Sequence, residues 1–253
     1  MSTDPTPSEA AAGAKYGNSW SRSGSAERNS QPIASALAPL LSTSSSASRA
    51  PVILEVASGF GHQISAIAQQ YPRCRFQPSE ADAYPRSQID KLCSSLPNVA
   101  KAEALDVLEQ NDWTTLVHNI SGEATPGASE DEGLFDGLIV CNFTHITPWK
   151  VTENLFRNLD PRLGYVTQQG YRSVLSRTRG WVAIYGAFNE NGEYTSEGNR
   201  KFDEDVRQRN AEWGLRDVQG ELVPLAERHG YELTDRIEMP AGNLFLIFRV
   251  RKE

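Results

Sequence analysis

Apolar segments alternate with helical patterns along most of the chain, and this alternation restricts the fold more than any other feature. Short apolar segments predict strands at 51–57, 73–79, 100–107, 135–142 and 180–188. Residues at helical spacing predict helices between them, at 62–71, 83–96, 147–159 and 218–231. Because strands joined through helices pair in parallel, this order predicts an α/β protein with helices on both faces of a mostly parallel sheet. Strands at 231–240 and 243–252 predict an antiparallel terminal hairpin.

The length of 253 residues suits one α/β domain, which we place at residues 15–253. Residues 1–14 are small and polar and predict a disordered tail. Residues 15–41 predict an N-terminal cap with a helix after Pro32, and the Ser-rich stretch 42–50 predicts a linker. An acidic segment at 118–133 and a further segment at 160–180 have no place in a minimal version of this fold.

Composition and charge exclude several classes of function. The chain has 25 Lys+Arg against 32 Asp+Glu, a net charge of -7, with no cationic cluster, so we expect no general binding to nucleic acid. No apolar stretch approaches the roughly 20 residues of a membrane span, and the N-terminal residues lack the apolar core expected of a signal peptide. The three cysteines, Cys74, Cys93 and Cys141, are far apart, so neither a disulfide framework nor a metal site is expected. These features predict a cytoplasmic protein.

The segment from Ile53 to Gly61 predicts the ligand site, because a strand enters a glycine turn and a helix follows. Glycine allows backbone to approach a ligand closely, and open α/β sheets bind ligands beyond the carboxyl ends of their strands. We therefore expect the turn to contact a nucleotide-like ligand. The predicted contacts are Glu55, Ala57, Ser58, Gly59 and Gly61.

Two classes of cofactor compete for this turn. A dinucleotide fingerprint requires a third glycine at the position that Ile64 occupies, which weakens that interpretation. S-adenosyl-L-methionine has no phosphate and does not need that glycine. Its sites commonly have an acidic residue in the first strand, where this chain has Glu55. The alternative is an ordinary tight turn in which Glu55 makes a structural hydrogen bond.

Carboxylates after the second and third predicted strands extend this site. Glu80 ends the second strand and can accept both ribose hydroxyls, a role for which Asp82 competes. A solvated surface charge is the alternative for Glu80. Asp106 can read an adenine amino group while Val107 lies against the ring, although Asp106 is equally typical of a helix N-cap.

The sequence Asn142-Phe143-Thr144-His145 follows the fourth strand, where it would face the methyl donor. Asn142 can bind the amino-acid part of the cofactor or the acceptor, and Phe143 can cover the sulfonium. His145 is a candidate general base because the pKa of histidine is normally near neutrality. A structural role is the alternative for this histidine.

Several stretches together resemble methyltransferase-like protein 26 and its bacterial relatives, a group of domain-of-unknown-function methyltransferase homologues. The resemblance covers most of residues 15–250 and is most specific in 185–217. The matching stretches are Ala26-Glu27-Arg28-Asn29, LEVASGFGHQ (54–63), FQPSEAD (76–82), CNFTHITPW (141–149), YGAFNENGEYTSEGNRKFDEDVRQRNAEWGLRD (185–217) and MPAGNLFLIFR (239–249). The chain departs from the family in its Ser-rich linker and in the segments 118–133 and 160–180.

The resemblance implies a class I methyltransferase (Rossmann-like) fold of seven strands, the last one antiparallel between its neighbours. It also implies S-adenosyl-L-methionine as cofactor, without naming an acceptor. The polar segment 185–217 carries aromatic residues and predicts either a lid or a structural surface helix. Arg28, Asn29 and Tyr185 are the predicted acceptor contacts.

Three functions follow from these patterns. The first is methyl transfer from S-adenosyl-L-methionine to a small-molecule or protein acceptor. The second is binding of the cofactor or a partner without transfer. The third is nicotinamide-dependent oxidation, which Ile64 disfavours.

Overall fold

The computed structural model of the protein describes residues 25–42, 49–122, 133–168 and 170–252. The predicted tail at 1–14, most of the predicted linker and most of the acidic segment 118–133 lie outside these residues. No helix in the described part of the chain has both the length and the apolar character needed to cross a membrane.

A seven-stranded sheet forms the centre of the fold, as the alternation of strands and helices predicts. Its strands are β1 (Val52–Val56), β2 (Arg75–Glu80), β3 (Glu103–Ala104), β4 (Gly137–Cys141), β7 (Trp181–Gly186), β11 (Tyr231–Glu238) and β12 (Leu244–Val250). Five further short strands lie outside it: β5 (Tyr165–Thr167), β6 (Gly170–Arg172), β8 (Phe188–Glu190), β9 (Glu193–Tyr194) and β10 (Arg216–Asp217).

The strands are arranged in the order β11-β12-β7-β4-β1-β2-β3. All neighbours from β7 to β3 pair in parallel, whereas β12 is antiparallel to both β7 and β11. The last strand thus lies between its neighbours, which confirms the predicted seven-stranded α/β fold with an antiparallel terminal hairpin.

Helices cover both faces of the sheet and leave two apolar cores. One core packs α5 (Gln110–Gly122), α6 (Trp149–Leu159) and α8 (Val223–Arg228) on strand residues such as Leu54 and Leu138. The other packs α1 (Ser25–Ala36), α2 (Ala38–Leu41), α3 (His62–Gln70) and α4 (Ala83–Leu92) on residues such as Ile53 and Ile139. Successive strand residues point to opposite faces, so a strand covered on both sides must be apolar throughout. This requirement explains the apolar sequence of β4 and β7, and of β1 apart from Glu55.

Several predicted elements differ from the structure. The helix predicted at 218–231 is a π-helical turn at Val218–Leu222 followed by α8, and residues 118–122 of the acidic segment belong to α5. The third strand is limited to Glu103–Ala104 instead of 100–107, because it pairs only with the end of β2 at the sheet edge. The N-terminal helix begins at Ser25 and contains Pro32, whereas the sequence predicted Pro32 in its first turn.

Two regions without a predicted structure form small accessory elements. Segment 160–180 contains the β5–β6 hairpin. Segment 185–217 adds a three-stranded sheet of β8, β9 and β10 and the helix α7 (Glu197–Arg209).

Candidate functional site

The carboxyl ends of β1 and β4 form the point at which the strand order reverses. From β1 the sheet continues through β2 and β3 on one side and through β4 and β7 on the other. Both central strands are followed by a residue with a left-handed backbone, Ala57 (φ 55°) and Asn142 (φ 53°). Open α/β sheets bind ligands in the crevice at such a point. The strand order therefore places the candidate site between the loops after β1 and β4.

The glycine turn after β1 is held against β2 by backbone hydrogen bonds. The Ser58 N–H donates to the Ser79 carbonyl at 3.0 Å, and the Gly61 N–H donates to the Ser58 carbonyl at 2.9 Å. Both glycines have left-handed backbones, with φ 57° at Gly59 and φ 83° at Gly61. A Cβ at Gly61 would meet Ile89 at 3.2 Å, whereas a Cβ at Gly59 would have no atom within 4 Å. The turn is thus packed at Gly61 and open at Gly59.

Glu80 is bonded directly to this turn. Its Oε2 accepts a hydrogen bond from the Gly59 N–H at 3.0 Å, and its Oε1 accepts one from the Ala81 N–H at 2.9 Å. The side chain is partly exposed, so the carboxylate keeps room to accept bonds from a ligand. Asp82, the competing carboxylate, is exposed at the start of α4. The structure therefore places Glu80 rather than Asp82 against the glycine turn.

Glu55 lies at the same edge but is almost fully buried, with 1% of its surface exposed. Its Oε2 has no hydrogen-bond partner among the described residues. Burial raises the pKa of Glu55 to about 8; a hydrogen bond from Ser58 opposes this effect, and the charge of Glu80 adds to it. A buried carboxyl with an unsatisfied oxygen is costly unless a ligand completes it. Glu55 therefore has the properties of a ligand contact rather than of a side chain with a satisfied structural bond.

Asp106 and Val107 lie in the turn before α5. The exposed Asp106 side chain accepts a hydrogen bond from the Leu108 N–H at 3.0 Å, and its carbonyl accepts one from the Glu109 N–H. Val107 is buried, and its carbonyl accepts a bond from the Trp113 indole. Asp106 thus shapes the turn ahead of the helix, as its structural alternative expects, while it remains accessible to a ligand.

The loop after β4 contains the other predicted contacts. Asn142 is partly exposed, and its N–H donates to the Tyr185 carbonyl at 2.8 Å. Phe143 is 6% exposed and packs in the apolar core. Asn142 therefore lies at the mouth of the cleft, whereas the ring of Phe143 is directed into the protein.

His145 is 2% exposed, and its Nδ1 has no partner among the described residues. Its ring contacts the edge of Phe202 at 5.1 Å between centroids and lies against Gly186. Burial lowers the pKa of His145 to about 4, and the charge of Arg216 lowers it further, against the opposite effect of Asp203. The expectation of a pKa near neutrality is therefore wrong, because the neutral ring is favoured in this environment.

The three predicted acceptor contacts lie in different surroundings. Tyr185 is 1% exposed, and its hydroxyl accepts a hydrogen bond from the Asn243 amide at 2.9 Å, so its side chain belongs to the core. Arg28 is exposed and Asn29 partly exposed on α1. The next residue, Ser30, donates to Gln63 in the first turn of α3 at 2.8 Å. This contact brings the start of α1 beside the glycine turn, as predicted for a cap.

Segment 185–217 is docked on the fold by buried polar residues. Asp203, 2% exposed, accepts hydrogen bonds from the Leu215 N–H, the Tyr194 hydroxyl and the Arg207 Nε. Asn199, 4% exposed, donates to the Gly242 carbonyl at 2.9 Å. These bonds agree with a structural surface helix, which was the alternative to a lid. The lid remains a prediction.

Arg216 joins this segment to the loop after β4. Its Nε donates to the Thr144 carbonyl at 3.1 Å, and its Nη2 donates to the carbonyls of Thr147 and Glu212 at 2.8 and 2.9 Å. The guanidinium also lies over the ring of Trp149, 5.6 Å from its centroid. The sequence analysis missed Arg216, because one arginine in a polar segment carries no signal that it will be buried.

Comparison with known proteins places the chain in a family. A family model described as "Protein of unknown function (DUF938)" matches residues 21–250. The chain belongs to the DUF938 family. The narrower resemblance to methyltransferase-like protein 26 remains a prediction for this DUF938 protein.

Solved structures support the same fold at low sequence identity. The protein is similar to the pyocyanin biosynthetic protein PhzM (TM-score 0.58, 15% identity, 94% of this chain and 61% of that chain covered). It is also similar to an O-methyltransferase family protein from Burkholderia thailandensis (0.60, 13%, 89% and 57%). A third match is the structure of PigF with SAH (0.58, 16%, 89% and 63%). The chain thus spans about three fifths of the length of these proteins and shares a fold found in methyltransferases.

Proposed function

We propose that this DUF938 protein is a methyltransferase that uses S-adenosyl-L-methionine and acts on a small-molecule or protein acceptor. The observation that carries the proposal is the pair of carboxylates at the glycine turn: Glu80 bonded to the Gly59 N–H, and Glu55 buried with an unpartnered oxygen. An adenosyl cofactor with ribose hydroxyls and a cationic amino-acid group fits both. The similarity to PigF with SAH and to an O-methyltransferase supports the same cofactor.

The residues of this chain would divide the binding between them. Glu80 would accept the ribose hydroxyls and Glu55 the ammonium group, while the open backbone at Gly59 would let the cofactor approach. Asp106 and Val107 would border the adenine, and Asn142 would hold the amino-acid part or the acceptor. When bound, the cofactor supplies a methyl group on a positively charged sulfur, which a nucleophile attacks in line. Orientation of the acceptor by the protein supplies much of such a rate enhancement.

A dinucleotide cofactor fits the same turn poorly. Ile64 is fully buried where a dinucleotide site requires glycine for close packing of helix on strand. The missing glycine therefore argues against nicotinamide chemistry, whereas Glu80 is compatible with the ribose of either cofactor.

Binding of the cofactor without transfer is the second candidate function, and one observation favours it. His145 is neutral, deeply buried and covered by Phe202, so it is poorly suited to accept a proton from an acceptor. Acceptors whose nucleophile needs no base remain compatible with methyl transfer.

The test is ligand-induced stabilisation of the full chain, with S-adenosylhomocysteine and NAD compared side by side. S-adenosylhomocysteine is expected to raise the melting temperature, because a ligand that binds only the folded state stabilises it. No shift at millimolar S-adenosylhomocysteine, or a shift with NAD alone, contradicts the proposal. Labelled methyl transfer from S-adenosyl-L-methionine to fractionated cell extract then separates an enzyme from a binding protein.

The two glycines of the turn give a prediction that separates binding from folding. Gly59→Ala is expected to weaken the binding of S-adenosylhomocysteine at least tenfold, because its Cβ enters the open space over the turn. It is expected to lower the free energy of unfolding by only about 1 kcal/mol, the cost of the left-handed backbone. Gly61→Ala is expected to lower it by roughly 2–3 kcal/mol, because its Cβ also crowds Ile89. Urea unfolding and ligand titration of both variants provide the measurement. Equal loss of affinity in the two variants contradicts this division.

A further inference from the structure

Arg216 is a buried cation without a matching carboxylate. It is 7% exposed, and its Nε and Nη2 donate only to backbone carbonyl oxygens. Among the described residues no carboxylate lies within ion-pair distance of it, although Arg207 of the same segment is paired with Asp203 at 2.8 Å. Buried charges are normally paired, because an uncompensated charge in the protein interior is costly. The charge on Arg216 therefore requires an explanation.

The surrounding charges do not compensate Arg216 fully. The pKa of its guanidinium is lowered, first of all by burial; Glu221 and Asp203 act in the opposite direction, and Arg207 acts with burial. Nη1 makes no hydrogen bond in the described part of the chain, whereas the other two nitrogens are fixed in place. Arg216 thus offers one oriented donor and a positive charge.

Arg216 is bonded to the loop after β4, which also carries Asn142, the predicted contact of the amino-acid part of the cofactor or of the acceptor. It holds the loop after β4 through the carbonyls of Thr144 and Thr147, and its charge reaches His145. Two polar atoms of this loop are buried without a partner, the Oγ1 of Thr144 and the Nδ1 of His145. Buried polar atoms in native proteins almost always have a partner, which a ligand or ordered water provides when the protein does not. The loop therefore combines a positive charge with unused hydrogen-bonding groups.

We propose that the acceptor of this protein is a small organic anion whose carboxylate pairs with Arg216. This inference rests on the proposed function and adds the chemical class of its substrate. A guanidinium held by its other nitrogens donates to a carboxylate with little loss of conformational entropy. The net charge of the chain is -7, so one buried cation beside the cleft gives local selectivity for an anion that the rest of the surface repels.

The competing explanation is that Arg216 has only a structural role, in which its hydrogen bonds hold residues 144, 147 and 212 together. Six compounds distinguish the two explanations on the unmodified full chain: acetate and acetamide, succinate and succinamide, benzoate and benzamide. Thermal shifts are measured at constant ionic strength with saturating S-adenosylhomocysteine. At least one acid is expected to reach half-saturation at about tenfold lower concentration than its matched amide. Equal responses to every acid and its amide, or no response to all six compounds, overturn the proposal.

Variants then assign the preference to Arg216. Arg216→Gln is expected to abolish the preference for the acid, and Arg216→Lys to retain part of it. Arg200→Gln removes one positive charge from the exposed face of α7, where Arg200 pairs with Glu197 and Glu204, and is expected to change nothing. If Arg216→Gln does not fold, the acid–amide comparison on the unmodified chain decides alone.

Retention of the acid preference in folded Arg216→Gln contradicts the assignment. The S-adenosylhomocysteine titration is recorded separately, and the absence of binding in that titration counts against the proposed function. The acid–amide comparison, repeated without that ligand, tests the anion site independently.

Discussion

Replacement of Glu80 by alanine is expected to weaken S-adenosylhomocysteine roughly 100-fold and to abolish its thermal shift. The variant removes a charge-assisted acceptor for the ribose and releases the Gly59 N–H, which Glu80 holds at 3.0 Å. A 100-fold loss corresponds to about 2.7 kcal/mol, which lies within the roughly 1.5–3 kcal/mol that a hydrogen bond to a charged group contributes. Isothermal titration of the purified full chain measures the affinity directly.

Asp82→Ala is the matched control for this prediction. It removes a carboxylate from the same loop, but Asp82 is exposed at the start of α4. Its affinity for S-adenosylhomocysteine is expected to remain close to that of the unmodified protein. If Asp82→Ala loses binding and Glu80→Ala retains it, the ribose contact belongs to Asp82 and our assignment is wrong.

Replacement of Glu55 by glutamine is expected to stabilise the protein at neutral pH and to weaken the binding of the cofactor. The pKa of Glu55 is about 8 in the folded state, raised first by burial, against 4.5 for the ordinary group. Below pH 4.5 both folded and unfolded chains hold the proton. Between pH 4.5 and 8 only the folded chain holds it, so the free energy of unfolding falls as pH rises through this window. Glutamine does not titrate and escapes this loss.

The expected gain in Glu55→Gln is roughly 2–3 kcal/mol at pH 7 and close to zero at pH 4.5. Urea unfolding at the two pH values measures it. Glu109→Gln, which removes an exposed carboxylate before α5, controls for the loss of one negative charge. A gain that is the same at both pH values would show that the titration of Glu55 is not its cause.

The same ionisation couples cofactor binding to pH. If Glu55 must lose its proton to meet the ammonium group, the affinity for S-adenosylhomocysteine is expected to rise by up to about tenfold per pH unit below pH 8. This dependence should be absent in Glu55→Gln. An affinity that does not change between pH 6 and 8 in the unmodified protein contradicts the contact between Glu55 and the ammonium group.

The central strands could be predicted from the sequence because burial on both faces requires apolar residues at nearly every position, with Glu55 in β1 as the exception. The positions of the turn at Ser58–Gly61 and of Glu80 could also be predicted from the sequence. The turn follows β1 and Glu80 ends β2, and the carboxyl ends of parallel strands meet at one edge of the sheet. Strand β3 was predicted too long, because an edge strand pairs on one side only and its length depends on its neighbour rather than on its own residues.

Side chains whose environment comes from distant parts of the chain could not be predicted. His145 lies against Phe202, which is 57 positions later in the sequence. Burial by such distant residues lowers the pKa of His145 well below its ordinary value. Tyr185 is enclosed by the terminal hairpin, and Arg216 is held by carbonyl oxygens of the loop after β4. Segment 185–217 is polar in sequence, and its attachment depends on single buried residues such as Asn199, which donates to the Gly242 carbonyl.

The position of β12 has a consequence for how the protein is made. This strand, Leu244–Val250, follows the other six strands of the sheet in the sequence, yet it lies between β7 and β11. Until it emerges from the ribosome, β7 is an open edge with unpaired backbone groups, and such edges recruit other chains. The nascent chain is therefore exposed to misassembly until residues 244–250 are available, and a premature stop before residue 244 would leave an aggregation-prone fragment.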